Sequence, residues 1–271
     1  MTTKIEKLYS SLLAREVVSF EEIVESARKI IGDHVDRRYV YRKYVDRLID
    51  KGKLHRVRRG IYVVLSPIEE IEEHIADKFL IASKVKNRYF LGFHTALEFY
   101  GCSYSHYNEV YICVGERDRF DPFEFQEVEF RPVFVKDLDT GVEKKKYGKD
   151  TLRISSKERT FIDCIDRVDY AGGWEESLKS LVGLSGIDFN NILQLLDGYG
   201  KEILYRRVGY ILESLKEHSQ FYEHLDEAFL DELEEHITDR PRYLIQGKSG
   251  SLNRRWNLYV PDDFENIMRG I

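Results

Sequence analysis

Hydrophobic positions over the first 65 residues follow a helical rhythm that later gives way to short apolar runs. Ile5, Leu8, Leu12 and Leu13 recur at the three- and four-residue spacing that places one apolar stripe on a helix. Val17 and Val18 then lead to Ser19, with Glu22 three residues on. That pair reads as a capping box, in which a hydroxyl and a carboxylate satisfy the free N–H groups at a helix start. Ile23, Ala27, Ile30 and Ile31 line the helix that follows, and Gly32-Asp33 breaks it. A third helix is expected over 36–51, stopped by Gly52, because glycine takes the left-handed conformation that ends helices. Residues 54–57 and 60–65 read as two short β segments around Arg58-Arg59-Gly60. Three helices followed by a β-hairpin is the order of a winged helix.

Ser66-Pro67 marks the expected domain boundary. Residues 68–85 are predicted to form a helix that opens on Glu69, Glu70, Glu72 and Glu73, as the positive end of a helix dipole prefers. Residues 94–100 read as a short helix closed by Gly101. Val110-Tyr111-Ile112-Cys113-Val114 is a strand, 123–135 one bent strand or two, and 140–150 a Gly- and Lys-rich hairpin, with the stretch around Glu143 read as its tip, leading into Leu152-Arg153-Ile154. From Ser155 the chain turns helical. Ser155 or Ser156 caps one helix, Gly172-Gly173 starts another, Asp188 caps the next, and Gly200 begins a helix running through Leu215. A last helix is expected near 221–237, with Phe221, Leu225, Phe229, Leu233 and Ile237 at four-residue steps. The expected fold class is α+β: an N-terminal winged helix-turn-helix over 1–66, then a larger mixed domain over 67–271 with a central sheet and C-terminal helices.

Composition narrows this picture. A chain of 271 residues with 42% hydrophobic and 33% charged residues fits two globular domains. It contains no apolar run of about 18 residues, and Met1-Thr2-Thr3-Lys4-Ile5-Glu6 lacks the apolar stretch of a secretory signal, so a cytoplasmic protein with no membrane partner is expected. Cys102, Cys113 and Cys164 are odd in number and scattered. They read as small buried apolar residues rather than as a disulfide framework or a zinc site.

Charge changes the picture more. The formal net charge is −6, but residues 36–60 hold ten basic residues against three acidic ones, a net +7, which leaves −13 on the rest. DNA would be drawn to one end of such a chain and repelled by much of the remainder. At 100° per residue, Tyr41, Tyr44, Val45 and Leu48 of the third helix face the core; Tyr39, Lys43, Asp46 and Asp50 face outward, flanked by Arg42 and Arg47. The candidate DNA contacts are therefore Arg37, Arg38, Tyr39, Arg42, Lys43 and Arg47 on the helix, with Lys53, Arg56, Arg58 and Arg59 in and beside the wing. Arginine can pair bidentately with guanine, and lysine and tyrosine can hold phosphates. A second charged segment, 213–239, sets ten acids against Lys216. It reads as a solvated helix face, with a docking surface for a basic partner as the alternative.

No catalytic constellation assembles, so no enzyme, cofactor or metal is expected. Glu143-Lys144-Lys145 matches the E-x-K of some nucleases only weakly, His94 has no nucleophile near it in sequence, and Gly247-Lys248-Ser249-Gly250-Ser251 lacks the upstream glycine of a phosphate loop. A nucleic-acid-processing enzyme with a winged-helix delivery domain, or a protein-interaction adaptor, is the alternative class.

Several motifs, in order, resemble one family. Gly52-Lys53-Leu54, Arg56 and Arg59-Gly60-Ile61-Tyr62 are similar to the wing of AbiEi-type antitoxins, the predicted transcriptional regulators of phage-defence loci. Ala96-Leu97 with Tyr100-Gly101 resembles the helix opening that family's second domain. Ile154-Ser155-Ser156-Lys157-Glu158-Arg159-Thr160-Phe161-Ile162-Asp163 resembles its S-x-E-R-T motif, and Arg206-Arg207-Val208-Gly209-Tyr210-Ile211-Leu212-Glu213 a later R-G-Y-E helix. The resemblance spans about residues 5–260 and implies the antitoxin of an AbiE-like type IV toxin–antitoxin system. Such a protein represses its own promoter through the winged helix and counters a nucleotidyltransferase-like partner toxin, AbiEii. Arg159 and Asp163, four apart, can form a helical ion pair. Together with Glu158, Arg206 and Arg207 they are expected to make one polar cluster in the second domain, either a structural network or an antitoxicity surface.

Overall fold

The computed structural model describes residues 3–270; Met1, Thr2 and Ile271, the ends of the two expected domains, lie outside it. The chain is mixed α+β and forms two compact units. One takes the residues up to Phe90 with Asn108–Leu138 and Lys144–Arg153; the other takes Leu91–Tyr107, Asp139–Glu143 and the residues from Ile154 onward.

In the first unit, α1 (Lys4–Leu12) and α2 (Phe20–Ile31) each start in a complete capping box, Thr3 with Glu6 and Ser19 with Glu22. Between them β1 (Val17–Ser19) pairs with β3 (Ile61–Val64), Val17 opposite Val63. Three residues are too few to announce a strand by alternation, so β1 was not predicted. The third helix begins at α3 (Arg37–Val40), widens into a π turn (Tyr41–Val45) and ends as α4 (Asp46–Asp50). β2 (Leu54–Arg58) and β3 then form the hairpin, with Gly60 at φ +86° in its tip, and the sheet order is β1-β3-β2. Leu8, Ile23, Val40, Val45, Leu48 and Tyr62 share one core beneath these elements.

The predicted helix over 68–85 shrinks to α5 (Lys78–Ser83). The Asp77 carboxylate accepts the N–H groups of Phe79 and Leu80, so the helix starts there. Upstream, Glu69, Glu70, Glu72 and Glu73 would stand three and four apart, and like charges at that spacing oppose a helix. Ile68 and Ile75 are 93% and 89% exposed, so no apolar contact compensates. The Gln126 side chain holds this segment in turns instead: its amide donates to the carbonyls of Ile71 and His74, and its carbonyl accepts from Ala76 N–H.

The remaining strands are β4 (Phe90–Leu91), β5 (Glu109–Val114), β6 (Phe123–Phe125), β7 (Val128–Phe134), β8 (Val142–Tyr147) and β9 (Asp150–Ser155). β5 and β7 run parallel, and β6 pairs antiparallel with β7 around Gln126 and Glu127, both at positive φ; residues 123–135 are thus two strands. Glu143-Lys144-Lys145 lies within β8, not at a hairpin tip; the tip holds Gly148. Polar bonds tie the N-terminal elements to those that follow. The buried Lys84 ammonium donates to Glu22 and Asp150 at 2.8 and 2.7 Å, and Asp77 N–H donates to Glu16 at 2.6 Å. The expected boundary after residue 66 marks the end of a local core; the compact unit continues past it.

The second unit is built from α6 (His94–Phe99), α7 (Lys157–Asp166), α8 (Gly173–Leu181), α9 (Phe189–Tyr199), α10 (Glu202–His218), α11 (Glu227–Glu234) and α12 (Asp262–Arg269). β10 (Arg242–Tyr243), β11 (Ser251–Asn253) and β12 (Leu258–Val260) add a small sheet in the order β10-β12-β11. Ser156 caps α7 and Asp188 caps α9, as expected. Gly200, at φ +61°, ends α9 rather than beginning α10, for which it is one residue too early. The helix expected near 221–237 is shorter, because the Asp226 carboxylate caps it at Phe229 N–H. Cys113 and Cys164 are buried, Cys102 is half-buried, and none of the three is in a disulfide.

Trp256, fully buried, organises this core. Its indole N–H donates to Glu213 at 2.7 Å, and its ring fills the space over Gly209 in the middle of α10. A Cβ at Gly209 would lie 2.1 Å from the ring. Replacing a mid-helix glycine by alanine ordinarily stabilises by about 1 kcal/mol. Gly209→Ala should instead destabilise, by about 1–3 kcal/mol, because an extra methyl in a filled core forces its neighbours apart. Urea unfolding with an unchanged m-value reads the sign; a stabilised variant would mean that the ring is free to move.

Candidate nucleic-acid interface

Four arginines line one groove in the first unit. Arg37 and Arg38 come from α3, Arg56 from β2 and Arg59 from the hairpin tip; Phe20, Glu21, Tyr41, Gly60 and Tyr62 complete an open cleft of about 760 Å3. The sequence placed the helix and the hairpin separately. The structure joins them through the start of α2, where Phe20 N–H donates to the Gly60 carbonyl at 2.8 Å. Local interactions fix the side chains. Arg37 donates to Glu21 at 2.5 Å and lies 5.2 Å over the Phe20 ring. Arg56 donates to the Tyr41 hydroxyl and lies 5.9 Å over its ring. The Asp36 carboxylate accepts the N–H groups of Arg38 and Tyr39 and so caps the helix start. Phe20, Glu21 and Tyr62 were missed as groove residues. Their place follows from strand pairing, and no local spacing signals it.

The other expected contacts fall elsewhere. Arg42, Lys43 and Tyr39 line a shallow recess beside the groove, and Arg38 and Asp36 complete it; Arg38 thus borders both hollows. The buried face of the helix includes Tyr44, Val45 and Leu48 as expected, with Val40 in place of the half-buried Tyr41. The π turn causes this, since a wider turn takes an extra residue and shifts the buried stripe by one position. Arg47 is exposed beyond that turn. Lys53 lies 4.2 Å over the Tyr9 ring and lines a separate recess.

Arg58 stands apart from the other wing arginines. Its guanidinium lies 4.4 Å over the Phe123 ring and 5.7 Å over Phe120. Burial there lowers its pKa from the ordinary value, with Asp121 opposing. Arg58 packs the hairpin onto β6 and does not line the groove.

In the second unit the expected polar cluster separates into distinct networks. Around α7, Arg159 pairs with Asp163 at 3.3 Å and donates to the Thr140 carbonyl, while Tyr199 donates to Asp163. Burial raises the Asp163 pKa, opposed by Arg159 and Tyr199. Glu158 accepts the N–H of Asp188, steadying the start of α9. These residues tie α7 to α9 and to the 139–143 segment. Arg206 belongs to another network. Fully buried, it donates to Glu202 at 2.6 Å, to the Thr238 carbonyl at 2.6 Å and to the carbonyls of Trp256 and Asn257 at 3.2 and 2.9 Å. Arg207 lies 5.8 Å over Trp174. Arg206 therefore closes the end of α10 against the small sheet, apart from the Arg159 pair.

The acidic run over 213–239 is partly neutralised from outside it. Arg255 reaches Glu213, Glu227, Asp231 and Glu234 at 2.9, 2.9, 2.7 and 3.3 Å. His94, fully buried, stacks on Tyr107 at 4.0 Å and meets Glu176 at 3.2 Å, an arrangement that packs the interior. Among the described residues, no group of three or more His, Cys, Asp or Glu is placed to hold a metal ion, and no helix is long and apolar enough to cross a membrane.

No family model matches the chain, and no curated protein matches it. Among solved structures, the crystal structure of the RV2827C protein from Mycobacterium tuberculosis is similar in fold. It has a TM-score of 0.65 at 15% identity, over 98% of this chain and 94% of that one.

The Arg206 network gives a pH signature. Burial alone would raise the Glu202 pKa, but hydrogen bonds from Arg206 and Thr238 outweigh it and bring the carboxyl down to about 2. A carboxylate depressed on folding adds stability above its unfolded pKa of 4.5 and loses it as pH falls towards 2. Wild-type stability should therefore drop between those values more steeply than that of Glu202→Gln. Parallel stability–pH curves in that window would show that the Glu202–Arg206 bond is not kept in solution.

Proposed function

We propose that residues 4–65 are a winged helix-turn-helix that binds double-stranded DNA, and that the protein represses its own promoter. In this reading α2 and the α3–α4 helix form the helix-turn-helix and β2–β3 the wing. The observation that carries it is the arginine groove: helix and hairpin arginines, distant in sequence, face one open cleft of the kind a phosphodiester strand fills. Arg42, Lys43 and Tyr39 lie beside it on the exposed helix face, where base edges in a major groove would stand. The excess charge of +7 over residues 36–60, in a chain of net −6, supports the same assignment.

The motif resemblance extends the proposal to an AbiEi-type antitoxin whose second part counters a nucleotidyltransferase-like toxin. Glu158, Arg159 and Asp163 support it through the fold, as a scaffold for whatever surface meets the toxin. The protein is then a regulator, not an enzyme, and needs no cofactor.

A salt-resolved gel shift on DNA from upstream of its own gene, with random DNA as competitor, tests this. Specific retention is expected, with affinity falling as salt rises. Arg38→Ala and Arg59→Ala should each flatten the slope of log affinity against log salt by about 0.9, the loss of one phosphate contact. Arg58→Ala should leave the slope unchanged. Arg42→Ala should cost more affinity on the operator than on random DNA, by about 1–3 kcal/mol for a lost bidentate base contact. Absence of any shift at low salt would sink the assignment.

A further inference from the structure

Among the described residues, Glu21 is the one acidic residue lining the arginine groove. It does not cap its helix: the reciprocal box at that helix start is made by Ser19 and Glu22. Its carboxylate instead holds the Arg37 guanidinium at 2.5 Å, while Arg37 rests on the Phe20 ring. Both side chains are open to solvent, at 58% and 54% exposure, so the pair is easily exchanged. A carboxylate and a phosphodiester offer a guanidinium the same two-oxygen edge.

We propose that Glu21 occupies the place of a backbone phosphate in the free protein, and that DNA binding exchanges it for a real one on Arg37. The inference rests on the DNA-binding reading of the groove. When a phosphate takes Arg37, the displaced carboxylate is left in the same cleft and repels the incoming strand. The penalty concerns the backbone, so it applies equally to operator and random DNA. Glu21 therefore sets the salt concentration at which DNA is released and leaves sequence preference alone.

Glu21→Gln tests this against Glu25→Gln, which removes the same charge one turn further along α2, at an exposed position outside the groove lining. Both full-length variants are first matched to wild type by thermal melting. Glu21→Gln should tighten binding about five-fold, as expected for one unit charge repelled at contact distance in water. The gain should be equal on operator and random DNA, with a salt slope steeper by about 0.9. Glu25→Gln should give a clearly smaller gain and an unchanged slope. Equal effects from the two variants would reduce Glu21 to ordinary net charge and overturn the proposal, as would a gain confined to the operator. If wild-type protein binds no DNA, the groove reading fails first and this inference falls with it, an outcome distinct from binding that Glu21→Gln leaves unaltered.

Discussion

Four guanidinium groups in one cleft repel one another, and the first unit is arranged so that they stay together. Water and salt screen much of the repulsion, because the groups are open to solvent. The remainder is met locally, by the Glu21 carboxylate and Phe20 ring under Arg37 and by the Tyr41 ring and hydroxyl under Arg56. These contacts work only if the start of α2, the third helix and the hairpin tip hold fixed positions. The shared core of Leu8, Ile23, Val45, Leu48 and Tyr62 does that, and the Phe20–Gly60 bond sets the distance between helix and hairpin. A rigid apolar base thus supports a concentrated positive field, which is the physical requirement for attracting a polyanion.

The second unit handles charge in the opposite way, by burial. A charge taken out of water must be surrounded by partners, or the desolvation cost outweighs the fold's margin. Arg206 meets that requirement with one carboxylate and three carbonyls, and Asp163 with a guanidinium and a phenol. Arg159, Asp163 and Arg206 also stand in two of the motifs that the sequence singles out. Their sequence signature therefore reflects what holds helices α7, α9 and α10 in place.

Features set by neighbours in the chain were readable from the sequence. Ser19 with Glu22, Gly52, Gly60, Ser156 and Asp188 all act within a few residues of themselves, so their roles follow from spacing. Where a partner lies far along the chain, spacing carries no signal. Arg58 looked like a wing contact because Phe120 and Phe123, which cover it, come some sixty residues later. Arg206 looked like a companion of Arg159 because both stand in arginine-bearing helices, yet its partners are carbonyls near the C-terminus. The 68–77 segment shows a subtler limit. Its acids suit a helix start one at a time, but four within five residues do not, and a glutamine fifty residues away supplies the alternative bonds.

The π turn at Tyr41–Val45 has a historical implication. A turn of this kind holds one residue more than an α-helical turn. A residue inserted into a helix can be absorbed in this way, as a bulge, without rotating everything downstream. Relatives lacking the bulge should then align with this chain only across a one-residue gap inside the helix. Counting straight through would assign the side chains before and after that gap to the wrong faces, so any comparison of groove-lining positions between such proteins needs the gap placed first.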